Sequence, residues 1–368
     1  MNLAFLTSSF LRTGKESASL TIVGLAKELI KKGHRVFIIS DRRKNLPEFE
    51  KINNVPIYRL YSSQIKGPIF GLQAVQKKLK IRFDIIHGFS SSPLFALRTY
   101  LARKLFCSKS KTIHTLKSYS KSKMGRSFYR LLNLVDLVTV PTESMASVLI
   151  NSGVNKNKIR LIHSYIDLNK FKPLNKMKLK EKYCPKNKKV LLYYGALFEN
   201  KGVRYLLKAL PKIIESNPNT LLILAPRHKI PLNYRELISN QKIKNNIRIM
   251  MEINVPEIVN CSDLVVLPYT DLIGTEGNPS CLLEAVACRT PVLTTNQPEL
   301  KEIFDENEVF YVPSKDADSL AQKINFILKN KSIARNLSKK AHKKIKDFDI
   351  KIAADKFLQL YQNWVFAK

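Results

Sequence analysis

The chain has 368 residues, 45% of them hydrophobic, with 12 Gly and 17 Pro. It is long enough for two domains and too ordinary in composition for a low-complexity protein. Its 63 Lys and Arg against 29 Asp and Glu give a formal net charge of +34, which points toward polyanions such as nucleic acid or an anionic membrane leaflet. No apolar run reaches the roughly 20 residues of a membrane-spanning helix, and five scattered cysteines without metal-ligand spacing argue against a disulfide framework.

The chain opens on a short strand pattern with no basic start and long apolar stretch, as expected of a cytoplasmic protein. Through the first half, strand patterns at 2–7, 35–40, 56–60, 84–87, 111–115, 136–141 and 159–163 alternate with helical patterns at 15–32, 70–81, 93–106, 122–133 and 142–152. Lys31-Lys-Gly-His34 closes the first helix with basic residues and a C-terminal glycine. This alternation predicts a parallel sheet covered on both faces. Acidic residues nearly vanish here: between Glu50 and Asp136 only Asp84 stands against 17 Lys or Arg. Arg98 to Arg130 holds ten basic residues and no acid, with Lys117, Lys121, Lys123 and Arg126 as a candidate patch for an anionic membrane surface. The plain alternative is a solvated face in a Lys-rich proteome. No basic motif interleaved with aromatics marks a specific nucleic-acid partner.

A Lys-rich, Pro-punctuated stretch from Phe171 to Lys189 reads as a linker with a short helix, giving a first domain over 1–172, a linker over 173–189 and a second domain over 190–349. Strand patterns then recur at 190–195, 220–225, 247–251, 263–268, 291–294 and 309–312, and helical patterns at 201–216, 232–241, 255–260, 279–288 and 298–304. Helical segments at 316–330, 332–346 and 350–364 finish the chain. Ligands of such sheets bind beyond the carboxyl ends of the strands.

Glu276 and Glu284 stand eight positions apart in Thr275-Glu-Gly-Asn-Pro-Ser-Cys-Leu-Leu-Glu-Ala285. Asn278 suits an N-cap and Pro279 the first helical position. Backbone N–H groups from Ser280 onward would then face the loop and favour an anion. On spacing alone the pair reads as a solvated loop Glu and a surface helix Glu. The flanks change this: Cys261-Ser-Asp-Leu-Val-Val-Leu-Pro-Tyr269 precedes, Ala285-Val-Ala-Cys-Arg-Thr-Pro-Val-Leu-Thr-Thr295 follows, and Leu191-Leu-Tyr-Tyr-Gly-Ala-Leu-Phe-Glu-Asn-Lys-Gly202 lies upstream.

This ordered set resembles the retaining glycosyltransferases of family 4, which carry Gly-Arg-Leu, then Lys-Gly, then Glu-x₇-Glu with Glu-Ala. Val135–Ser144 and Ile159–Pro173 extend the likeness through the first half. The resemblance implies the α/β GT-B fold, two Rossmann-like parallel-sheet domains facing a cleft, with the last helix (350–368) crossing back onto the first domain. It implies a nucleotide-diphosphate sugar as donor and a glycan or lipid-linked acceptor. By resemblance, Gly195, Lys201, Gly202, Gly277, Asn278, Ser280, Cys281 and Glu284 would bind the donor, Glu284 at the ribose and Glu276 at the sugar hydroxyls. His114 would position the sugar. Charge building on the departing phosphate must be met by a metal, cations or a helix N-terminus. Lys201 supplies a compact cation, and Gly202 allows close backbone approach.

Two departures stand out. Ala196 replaces the family's arginine, with Arg227 and Arg204 as candidate substitutes. The first loop has one glycine, Gly14, and Ser164-Tyr165 replaces the usual Asn-Gly. The triplets Asp316-Ala-Asp318 and Asp347-Phe-Asp349 read as helix starts, so no cofactor or essential metal is expected. Two alternatives share features of the sequence: a sugar-nucleotide epimerase or phosphorylase of the same fold, and a non-catalytic nucleotide-sugar or polyanion-binding protein.

Overall fold

A computed structural model describes the chain except residues 8–16, 44–45, 63–65, 119–124, 186, 275–276, 278 and 366–368, and except the side chains at 17, 18, 66 and 126. It divides into two units, Met1–Tyr165 with Ile273–Gly277 and Asp349–Lys368, and Ile166–Leu272 with Asn278–Phe348.

In the first unit β1 (Asn2–Thr7), α1 (Ser17–Lys31), β2 (Arg35–Ile39), β3 (Phe49–Ile52), β4 (Val55–Tyr58), α2 (Lys66–Leu79), β5 (Ile85–Ser90), α3 (Leu94–Phe106), β6 (Lys111–Leu116), β7 (Leu137–Val140), α4 (Glu143–Asn151) and β8 (Ile159–Leu161) follow in turn. The sheet order is β3-β4-β2-β1-β5-β6-β7-β8. Its pairings are parallel apart from the β3–β4 hairpin. Central strands such as Leu3-Ala-Phe-Leu6 are buried throughout, as a sheet covered on both faces requires. Gly33, at φ +84°, ends α1, and the His34 N–H reaches back to the Leu29 carbonyl. Between β6 and β7 the expected helix over 122–133 is a 3₁₀ helix, Arg126–Leu134, among the described residues.

The second unit contains α5 (Lys176–Tyr183), β9 (Lys189–Gly195), α6 (Val203–Ser216), β10 (Thr220–Pro226), α7 (Leu232–Ile238), β11 (Ile247–Ile249), α8 (Val255–Cys261), β12 (Leu264–Leu267), α9 (Ser280–Ala287), β13 (Val292–Thr295), α10 (Pro298–Lys301), β14 (Phe310–Val312), α11 (Ala317–Lys329) and α12 (Lys331–Lys344). Its sheet runs β11-β10-β9-β12-β13-β14, with parallel pairings. Strand order reverses at β9, so the crevice beyond the ends of β9 and β12 is where such sheets take ligands. The buried face of α6 shows why this segment is helical: Val203, Leu206, Leu207, Leu210 and Ile213 recur at the spacing of one helix side.

The boundary between the units differs from the sequence reading. The expected linker over 173–189, with its short helix, groups with the second unit, which begins at Ile166. Asp263 fastens it there. Its carboxylate accepts from Lys180 Nζ at 2.6 Å and from the Val190 N–H at 2.8 Å, and it pairs with Lys176 at 2.9 Å. The final helix α13 (Ile350–Val365) groups with the first unit. Its Ala354, Phe357 and Tyr361 share a buried cluster with Ile22, Val23 and Leu25 of α1. Among the described residues, no helix is long and apolar enough to cross a membrane.

Candidate active site

The carboxyl ends of β9 and β12 are stitched together by backbone. Gly195 closes β9 at φ +140°, a conformation that favours glycine, and its carbonyl accepts from the Arg227 N–H at 2.9 Å. A 3₁₀ turn, Glu199–Lys201, then leads into Gly202 at φ +68°, which opens α6. A Cβ on Gly202 would collide with the Pro268 carbonyl, just past β12. Beside it the Thr270 N–H donates to the Asn200 carbonyl at 3.0 Å. Lys201 is thereby held over the strand ends, its Nζ 5.0 Å from the centroid of the Tyr269 ring.

The start of α9 enters the same cluster. Pro279, with ψ +130°, stands just outside the helix rather than at its first position, and Ser280 is the first helical residue. The Cys281 carbonyl accepts from the Tyr194 hydroxyl at 2.9 Å, and its Sγ lies 3.4 Å from the Tyr269 hydroxyl. Burial and then the Glu284 carboxylate raise the Tyr194 hydroxyl well above its usual range. Burial and Glu284 also raise the Cys281 thiol, while Lys201 and Arg227 pull it down. Lys201, Arg227, Cys281 and Glu284 therefore share one electrostatic neighbourhood. Glu276 and Asn278 lie outside the described residues, and Gly277 groups with the first unit, where a Cβ would come 3.2 Å from Pro141 and Thr142.

The two candidate replacements for the absent arginine separate. Arg204 pairs with Glu199 at 3.3 Å. Arg227 is exposed, its N–H bonded to the end of β9, and its charge reaches Cys281 and Tyr193. Ala196 itself is buried, and its carbonyl accepts from the Tyr193 hydroxyl at 2.6 Å.

In the first unit His114 sits on β6 with no exposed surface, and among the described residues neither ring nitrogen meets a side-chain partner. Burial depresses its pKa to about 3, so the ring is neutral at pH 7. His87, one strand over, is structural: its Nδ1 meets the Tyr361 hydroxyl and its Nε2 the Thr115 hydroxyl, both at 2.7 Å. Lys117 donates to the Thr21 hydroxyl at 3.3 Å. Lys121 and Lys123, and the Arg126 side chain, lie outside the described residues. Asp316 caps α11, accepting from the N–H groups of Asp318 and Ser319. Among the described residues no group of three or more His, Cys, Asp and Glu is arranged to hold a metal ion.

Fold and motifs together are those of a glycosyltransferase of the GT-B type. Residues 18–170 match the family described as Glycosyltransferase Family 4 and residues 176–344 that described as Glycosyl transferases group 1; the chain belongs to these group 1, family 4-type glycosyltransferases. An uncharacterized glycosyltransferase of Methanocaldococcus jannaschii is 24% identical over 83% of each chain. The phosphatidylinositol N-acetylglucosaminyltransferase GPI3 subunit of Saccharomyces cerevisiae is 20% identical, over 83% of this chain and 70% of that one. Among solved structures, sucrose-phosphate synthase of Thermosynechococcus elongatus superimposes with a TM-score of 0.85 over the whole of both chains at 18% identity. HepE of Anabaena in complex with UDP-glucose gives 0.81 at 18% identity, over 99% of this chain and all of that one.

The sequence motifs picked out Gly195, Lys201, Gly202, Cys281 and Glu284, which the second unit places around the end of β9, the loop after β12 and the start of α9. They gave no role to Tyr269 or Pro268. The only sequence cue to these was their place immediately after a buried strand.

Proposed function

We propose that the protein transfers a glycosyl residue, with retention and without a metal, from a nucleotide-diphosphate sugar to a lipid-linked or cell-surface glycan acceptor, at the inner face of an anionic membrane. The observation that carries this reading is the Lys201–Gly202 turn fastened under Pro268 beside the start of α9. Breaking the anomeric C–O bond leaves negative charge on the departing diphosphate. Lys201, Arg227 and the positive end of the α9 dipole are suited to meet it. Glu284 is assigned to the ribose hydroxyls and Glu276 to those of the sugar. His114, neutral through burial, is the candidate hydrogen-bonding group of the first unit. The acceptor class draws on names: one relative, of Campylobacter jejuni, is an N,N'-diacetylbacillosaminyl-diphospho-undecaprenol alpha-1,3-N-acetylgalactosaminyltransferase, 25% identical over 60% of this chain and 58% of that one.

Incubating the protein with radiolabelled UDP-, GDP- and ADP-sugars and membrane lipid extracts tests this. Label should pass from one donor into lipid-extractable product and do so equally in EDTA. Transfer that EDTA abolishes and Mg²⁺ restores removes the metal-independent part; no transfer from any donor removes the rest.

A further inference from the structure

The Lys201 ammonium stands over the face of the Tyr269 ring, 5.0 Å from its centroid. An aromatic face attracts a cation through its quadrupole, more so where water is thinned. Tyr269 is 2% exposed, so this platform is a fixed part of the core rather than a surface side chain. Among the described residues it is fastened to three elements. Its N–H donates to the Leu267 carbonyl at 3.0 Å, and its own carbonyl accepts from the Thr295 hydroxyl at 2.8 Å, tying it to the ends of β12 and β13. Its hydroxyl lies 3.4 Å from Cys281 Sγ, in the first turn of α9. The Lys201 backbone is registered against the same loop on either side: Asn200 accepts from Thr270, and Gly202 lies under the Pro268 carbonyl. A flexible four-carbon side chain that must present one charge at one place loses less rotamer freedom on binding when a platform already orients it.

We propose that Tyr269 is a positioning residue. Its ring, latched by Cys281 to the start of α9, aims the Lys201 ammonium at the diphosphate of the donor, so that cation and helix start act on the same phosphate groups. This rests on the donor-site reading given above. Between β12 and α9 the family resemblance assigns Glu276, Gly277 and Asn278 to binding and gives no part to Tyr269.

Calorimetric binding of UDP, GDP and ADP, each compared with its monophosphate, separates the possibilities. Take the diphosphate that binds best. Lys201→Ala should weaken it roughly tenfold or more. Tyr269→Leu should weaken it about fivefold and its monophosphate much less, because a misaimed cation costs most where the charge is densest. Tyr269→Phe, which keeps the ring, should recover most of that loss. The decisive measurement is the double variant Lys201→Ala/Tyr269→Leu, which should bind no more weakly than Lys201→Ala alone, since Tyr269 acts only through the lysine. Losses that multiply in the double variant, or equal weakening of mono- and diphosphate by Tyr269→Leu, would mean that Tyr269 only supports the local structure and would overturn the proposal. If Lys201→Ala leaves diphosphate affinity unchanged, or if none of the three diphosphates binds the parent protein, the donor-site reading itself falls and takes this inference with it.

Discussion

Gly202 combines two constraints that no other residue satisfies, a φ of +68° and a carbonyl oxygen lying where a Cβ would go. Since the obstacle is backbone, Gly202→Ala must push the Pro268 loop away. The cost should be on the order of 2 kcal/mol, seen as a lowered urea midpoint, together with weakened nucleotide-diphosphate binding. The arginines beside it should behave oppositely. Arg204 is spent on an exposed pair with Glu199, so Arg204→Ala should leave diphosphate affinity within about twofold. Arg227→Ala should weaken it by about 1–2 kcal/mol, as loss of a charged hydrogen bond does; calorimetry that finds the two variants equal rejects Arg227 as the substitute for the missing family arginine. Residues of this kind were legible where a backbone rule or a motif marked them, as at Gly195, Lys201 and Gly202. They were illegible where the role comes from a partner distant in sequence: nothing local to Tyr269 announces Cys281 or Lys201. The same holds for the two strand histidines. The family resemblance singled out His114, but nothing local to His87 announces the Tyr361 and Thr115 hydroxyls that hold its ring.

Among elements, the parallel strands were readable because burial on both faces leaves continuous apolar runs. The edge strand β3 was not, for the opposite reason: Phe49–Ile52 is exposed or half-buried along its length and carries Glu50 and Lys51. Its signal was the turn, since Asn53 and Asn54 both take positive φ, as a two-residue hairpin demands. The docking of the linker was hidden for a different reason. Its helix α5 contains no fully buried residue and is held by charge on a partner some eighty positions away, which no local pattern reveals. Asp263→Ala should expose that dependence. It strands Lys176 and Lys180, both partly exposed, and leaves the Val190 N–H without its acceptor. A loss of roughly 2 kcal/mol is expected in urea unfolding, with early protease cleavage within 176–189; unchanged cleavage there would show that apolar contacts alone keep α5 docked.

At the scale of the whole molecule, charge and protonation dominate. Through Pro173 the chain carries 31 Lys and Arg against 9 Asp and Glu. If the first half meets an anionic membrane, the protein should sediment with anionic vesicles, ignore neutral ones and be released by salt, which screens within about 8 Å at physiological strength. Each basic residue contributes about 1 kcal/mol at best. Replacing Lys117, Lys121, Lys123 and Arg126 by Gln should remove most of the binding, and full retention would reduce the run to a solvated face. Protonation acts through the two buried imidazoles. Burial lowers both His87 and His114 from 6.5, His114 to about 3. The unfolded chain therefore takes up protons that the folded one refuses. The stabilising contribution of the two histidines is present above 6.5 and falls as pH drops below it, for His114 by about 1.4 kcal/mol between pH 7.5 and 5.5. His114→Leu should flatten that slope in urea titrations; an unaltered slope would assign it to other groups.

The return of α13 to the first unit bears on how the protein is born. A ribosome delivers β1 first, yet Tyr361, whose hydroxyl closes on His87, emerges only after the entire second unit has been synthesised. The second unit, nearly continuous from Ile166 to Phe348, can fold during translation. The first must wait without α13, so the cluster that Ala354, Phe357 and Tyr361 complete stays open to any chaperone or stray chain. Nascent chains arrested after Phe348 should thus yield a protease-resistant second half and a labile first half, an inversion of the order in which the two are made.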